Sequence, residues 1–126
     1  IWSKIHEADA NNMIQLAMRC LLIEDGKRLI LIDNGIGNKQ SDKFFGYYYP
    51  WGNFTLEKSL NKKGFHKNDI TDVFLTHLHF DHCGGGIKYE GEHLVPNFPN
   101  ATISSSVSNS YPKLESSICN SNVLPD

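Results

Sequence analysis

Six consecutive residues, His77-Leu78-His79-Phe80-Asp81-His82, hold three imidazoles and one carboxylate. On extended backbone, side chains two apart project to the same side, so His77 and His79 can reach one ion. Zinc–imidazole bonds are about 2.0–2.1 Å, short enough that the two rings must converge. Asp81 is expected to continue that parity, with His82 turned elsewhere until the backbone bends. Gly84-Gly85-Gly86 makes a bend easy, because glycine adopts positive φ freely. The expectation is one donor pair on one ion and the next pair on a neighbouring ion. Imidazole and carboxylate donors suit zinc, and also iron or manganese in mixed oxygen and nitrogen sites. A lone histidine is ordinarily a hydrogen-bonded structural residue, and His6, His66 and His93 are read that way. The cluster differs, since three imidazoles packed together without a cation need several polar partners.

The elements that must position this cluster are short strands. Gln15 to Ile23 reads as a strand, apolar on both alternating sets apart from Arg19. Asp25-Gly26 is a hairpin signal, and Arg28 to Ile32 follows as a second strand that Asp33-Asn34-Gly35 stops. Apolar residues on both faces of both strands predict a sheet covered on both sides. Ser41 to Phe54 is expected to be an aromatic-rich connection. A helix is predicted from Thr55 to Lys63, with Thr55 as N-cap, Leu56 and Leu60 on one face and Gly64 as the stop. Asn68-Asp69 turns the chain, Val73-Phe74-Leu75 forms a buried strand leading into His77, and a weak strand is expected near Ile87 to Tyr89. The pattern is mixed α and β.

The run Asp69-Ile70-Thr71-Asp72-Val73-Phe74-Leu75-Thr76-His77-Leu78-His79-Phe80-Asp81-His82-Cys83-Gly84-Gly85 resembles the signature of the metallo-β-lactamase-fold hydrolases, whose core motif is HxHxDH after an apolar strand and Thr. The upstream strand ending in Asp33 matches the same pattern. Leu78, Phe80 and the glycines are most similar to lactonase-type members; the ribonuclease Z-like branch more often has Gly where Phe80 stands. The resemblance implies an α/β (α+β) fold, here a partial αββα sandwich with the motif in a loop at the sheet edge. It implies that His77 and His79 bind a first zinc, that Asp81 and His82 bind a second, and that Asp33 steadies the loop by hydrogen bonds. Other divalent transition metals are possible. It implies a hydrolase whose metal-bound hydroxide attacks an ester, lactone or amide-like bond of a small molecule, with Asp81 shuttling the proton as catalytic residue. The alternatives are a phosphodiesterase of the same fold, or a catalytically incomplete metal-binding fragment.

The last alternative has a sequence basis. The family's complete site takes a third histidine, a bridging carboxylate and a final histidine from further along the chain. Here no histidine follows His93, and only Glu115 and Asp126 follow as carboxylates. Residues 102–126 carry eight of the eleven serines, and Ser104 to Ser110 shows neither helical nor strand periodicity. Residues 1–101 are therefore expected to be the N-terminal part of a metallo-β-lactamase-like domain, and residues 102–126 a Ser-rich tail. Truncation, a change of reading frame near Ala101–Thr102, or absent segments would each account for this. The chain opens at Ile1 without methionine, so a longer protein is expected.

Composition narrows the partners. A net charge of −2 over 126 residues offers no electrostatic footprint for nucleic acid. No apolar run approaches the roughly 20 residues of a membrane span. Cys20, Cys83 and Cys119 form no CxxC pair, so the cytosol is the expected compartment, and a homo-oligomer is possible. Gly35-Ile36-Gly37 follows a strand but lacks the third glycine of a dinucleotide loop, Gln40 standing in its place. The aromatic stretch Phe44 to Trp51 is either a rim beside the metal site or a loop packing its own rings, the second being favoured.

Overall fold

A computed structural model describes residues 4–106 of the chain. Its strands are β1 (Leu21–Asp25), β2 (Arg28–Ile32), β3 (Asp72–Leu75), β4 (Ile87–Glu90), β5 (His93–Pro96) and β6 (Thr102–Ser105). Its helices are α1 (Asp42–Tyr48), α2 (Leu56–Lys62) and the single turn α3 (Phe80–Cys83), with 3-10 turns at Lys67–Asp69 and Gly84–Gly86. The main sheet has the order β1-β2-β3-β6, and β4-β5 is a separate hairpin. The α/β reading holds. Among the described residues no helix is long and apolar enough to cross a membrane.

β1 and β2 pair antiparallel, with Asp25 opposite Arg28, and Gly26 supplies the left-handed residue (φ 58°) the tight turn requires. β1 begins at Leu21 rather than Gln15. Its last partner on β2 is Ile32, and at Asp33 the backbone turns away with φ 58°, so residues before Leu21 have no strand to pair with. β2 then pairs parallel with β3, and β3 parallel with β6. The three carboxyl ends therefore lie along one edge of the sheet.

One face of this sheet is buried. Leu29, Leu31, Val73 and Leu75 cluster there with Leu60 of α2, Ile70 and Phe98. α2 forms as predicted: the Thr55 side chain accepts from the Lys58 amide at 3.1 Å, Leu60 is buried, and Gly64 follows at φ 85°. The expectation of cover on both sides fails in the described residues. Leu21, Ile23 and Phe74 on the opposite face are 58%, 38% and 36% exposed, while the buried cluster with α2 lies on the other face.

Two further expectations are corrected. Ser41 to Phe54 is not simply a connection: Ser41 caps α1 by accepting from the Phe44 amide at 3.3 Å, with Asp42 in the first turn favouring the helix N-terminus. Thr102–Ser105, which includes Ser104 and Ser105 of the stretch without strand periodicity, is strand β6, at the edge of the sheet among the described residues. It has no alternating apolar pattern because an edge strand exposed along its length has little to bury. Residues 107–126, with Cys119 and Glu115, lie outside the described residues.

Candidate metal centre

Because β2 and β3 run parallel in register, Asp33 and Thr76 emerge side by side, with the Asp33 amide bonded to the Phe74 carbonyl at 2.9 Å. The Asp33 carboxylate accepts from the Thr76 amide at 2.8 Å and from the Thr76 hydroxyl at 2.8 and 3.0 Å. His82 Nδ1 lies 2.7 Å from its Oδ2. Burial alone would raise the Asp33 pKa, but the hydrogen bonds from His82 and Thr76 outweigh it and hold the carboxyl below the ordinary carboxylate range. Thr76 is not among the site residues read from the sequence; its place directly after the β3 core residue Leu75 and before His77 is the signal that could have found it.

The motif itself bends earlier than the parity argument supposes. His79 is still extended (φ −75°, ψ 148°), but Phe80–Cys83 is a helical turn, closed by bonds from the His82 and Cys83 amides to the His79 carbonyl. Asp81 therefore does not continue the His77–His79 parity; it projects from the turn beside His82, with its Oδ2 3.6 Å from His82 Nε2. The His77 ring lies 4.6 Å from that of His79 and 3.9 Å from that of His82, centroid to centroid. His93 lies apart, exposed in β5 opposite Glu90, and the His66 ring caps the 3-10 turn at Lys67–Asp69.

The glycines after the motif act through space rather than through positive φ. None of Gly84, Gly85 and Gly86 is left-handed. Instead they press against residues 34–37: a Cβ on Gly85 would stand 2.1 Å from the Asn34 carbonyl oxygen, and one on Gly84 2.4 Å from that of Ile36. The two loops are tied by the Asn34 amide to the His82 carbonyl and the Gly85 amide to the Gly35 carbonyl, each 2.8 Å. Lys39 Nζ adds a bond to the Gly84 carbonyl, and burial pulls its amine below the usual lysine value despite nearby Cys83. Gly35-Ile36-Gly37 thus supports the motif loop, which agrees with its failure to match a phosphate loop. The aromatic stretch reaches the motif too, since Phe44 and Tyr48 of α1 pack on Phe80 at 5.3 and 4.7 Å.

The donor chemistry fits a divalent transition metal in pairs. Two ligand atoms on one tetrahedral ion stand about 3.4 Å apart, and Asp81 Oδ2 and His82 Nε2 are close to that spacing. Among the described residues no group of three such donors converges on one point. Two surface clefts, one at Arg28, Phe65 and Asp69 and one between β1 and α2, include none of the motif histidines.

A family model described as "Metallo-beta-lactamase superfamily" matches residues 18–117, extending past the residue-101 boundary. A probable metal-dependent hydrolase from Staphylococcus aureus is 32% identical with a TM-score of 0.72, covering 81% of this chain and 36% of that one. AidC, a dizinc quorum-quenching lactonase in complex with a product, is 38% identical over 67% of this chain and 24% of its own, with a TM-score of 0.50. The hydrolase AbOPH, in the beta-lactamase superfamily, is 31% identical with a TM-score of 0.57, covering 80% of this chain and 30% of that one. The chain thus spans about a quarter to a third of the length of these proteins. No curated protein gives a significant match.

Proposed function

The chain belongs to the metallo-beta-lactamase superfamily, and from that premise we propose that it carries part of the divalent-metal centre of a hydrolase acting on an ester, lactone or amide-like bond of a small molecule. His77 and His79 would hold one ion and Asp81 and His82 a second, zinc being the metal these donors suit. A bound ion would polarise the scissile group and lower the pKa of water at the site. The chain's own residues do the rest. Asp33 fixes the His82 ring through Nδ1. Asp81 turns Oδ2 towards His82, leaving its other oxygen free to take up a proton and return it to the leaving group. The observation that carries this reading is the clustering of the His79 and His82 rings about His77, at 4.6 and 3.9 Å, with His82 held by the buried Asp33 carboxylate at the carboxyl ends of β2 and β3.

A second reading, a metal-binding portion without turnover, is favoured for this chain taken alone by the pairing of donors with no third partner among the described residues. Metal content after dialysis against zinc, measured by mass spectrometry, tests both. One tightly held zinc per chain and no second is expected, with its loss in His77→Ala and His79→Ala. Two tightly held ions in a monomer would refute the half-site description; none, with the chain folded, would remove the metal reading. Hydrolysis of a lactone rather than bis-nitrophenyl phosphate would separate the proposed activity from a phosphodiesterase, and turnover of neither, with zinc retained, would select the second reading.

A further inference from the structure

Asp33 explains how His82 is oriented, but among the described residues no hydrogen bond joins His77 to that carboxylate. What His77 does have is the hydroxyl of its chain neighbour, with Thr76 Oγ 3.0 Å from His77 Nδ1. The same Oγ lies 2.8 Å from Asp33 Oδ2, 3.0 Å from Oδ1 and 3.4 Å from His82 Nδ1. A hydroxyl has one proton to give and two lone pairs to receive with. Asp33 already accepts the Thr76 amide proton, and an ionised carboxylate has nothing to donate. Were the hydroxyl proton turned towards His77, Oγ and Oδ2 would face each other at 2.8 Å as two acceptors with no proton between them. The proton therefore points at Asp33, and the side of Oγ facing His77 is a lone pair.

We propose that Thr76 is a positioning residue for the metal centre: its hydroxyl, donating to Asp33, accepts the Nδ1 proton of His77 and leaves the Nε2 lone pair of that ring free for an ion. The inference rests on the metal reading above and adds to it how a single carboxylate reaches both halves of the centre. Asp33 acts on His82 directly and on His77 through one intervening hydroxyl. In a neutral imidazole, the nitrogen that carries hydrogen is set by the bond the ring makes on its other side. With Nδ1 satisfied inward on both rings, which lie 3.9 Å apart, His77 and His82 each present Nε2 as donor, and each belongs to a different proposed ion. The arrangement requires a hydroxyl at position 76. Valine has the same shape but presents no lone pair, and serine retains one.

Nitrogen-15 spectra of the histidine rings test this directly in the full chain without metal, at about pH 8.5, two units above the ordinary imidazole pKa. In the wild type both His77 and His82 should show a protonated Nδ1 and a lone-pair Nε2. Thr76→Val should move His77 towards the Nε2-protonated form, while His82, held by Asp33 itself, keeps its wild-type pattern. Thr76→Ser should restore His77. A Nε2-protonated His77 in the wild type overturns the proposal, and that spectrum needs no variant to fold. An unchanged His77 in Thr76→Val, or failure of Thr76→Ser to restore it, overturns it as well. Zinc titration of the same samples should show affinity falling about tenfold in Thr76→Val. Should the ring patterns appear as expected while no variant and no wild type binds zinc, the hydrogen-bond inference stands and the metal reading falls.

Discussion

Gly85→Ala is the sharpest test of how the motif loop is held. The added methyl would meet the Asn34 carbonyl oxygen at 2.1 Å, where ordinary contacts begin at 3.4 Å, so one backbone segment must retreat by more than an ångström. That retreat takes both 2.8 Å cross-loop bonds, Asn34 to His82 and Gly85 to Gly35, beyond hydrogen-bonding range. Each bond contributes about 1 kcal/mol, and forced overpacking costs about 1–3 kcal/mol. The expected loss is about 3–5 kcal/mol, a large share of the roughly 5–15 kcal/mol that holds a typical domain together. Gly86→Ala meets only the Asn34 side-chain amide at 3.2 Å and should cost about 1 kcal/mol. Gly46→Ala, inside α1 with open space at the Cβ position, should stabilise by about 0.5–1 kcal/mol. Urea unfolding followed by circular dichroism measures all three. A Gly85→Ala protein as stable as the parent, or no less stable than Gly86→Ala, would show that the two loops are not packed backbone to backbone.

The Asp33 carboxyl is held below its ordinary value by its partners, so its contribution to stability is fully present above its unfolded pKa of about 3.9 and is lost as pH falls through the lower folded value. Urea midpoints recorded between about pH 2 and pH 6 should fall on that limb in the parent and fall less in Asp33→Asn; parallel curves would mean the carboxylate is not selectively stabilised. Leu60→Ala removes the α2 side chain that is 4% exposed against the sheet and should cost about 2–5 kcal/mol by the same denaturation assay, whereas a loss under half a kilocalorie would mean α2 does not cover the core.

Local signals in the sequence were readable where a single residue type decides the geometry. Gly26 turns the hairpin, Thr55 caps α2, Leu60 faces the core and Gly64 ends the helix. The His77 to His82 cluster was visible for the same reason, its residue types being too concentrated for chance. What stayed hidden depends on partners distant in the chain. The bend at Phe80 is invisible to a period-two argument. Thr76 looks like an ordinary strand-ending residue until Asp33 is placed against it, and three glycines read as a flexible turn until the carbonyls of Asn34 and Ile36 are found beneath them. The edge strand β6 has no burial pattern to betray it, and α1 was obscured because its aromatic side chains lie largely exposed around a glycine.

The parallel pairing of β2 with β3 has an evolutionary corollary. Asp33 and Thr76 are 43 residues apart in the chain but adjacent through two neighbouring strands, so the intervening crossover sets neither their spacing nor their orientation. Closing a loop twice as long would cost only about 0.6 kcal/mol more. The exposed stretch Tyr49 to Phe54 between α1 and α2 is thus free to lengthen, shorten or change composition, provided that Phe44 and Tyr48 of α1 stay packed on Phe80. Descendants of such a scaffold can retailor the surface beside the motif without rebuilding the strand ends that carry Asp33 and Thr76.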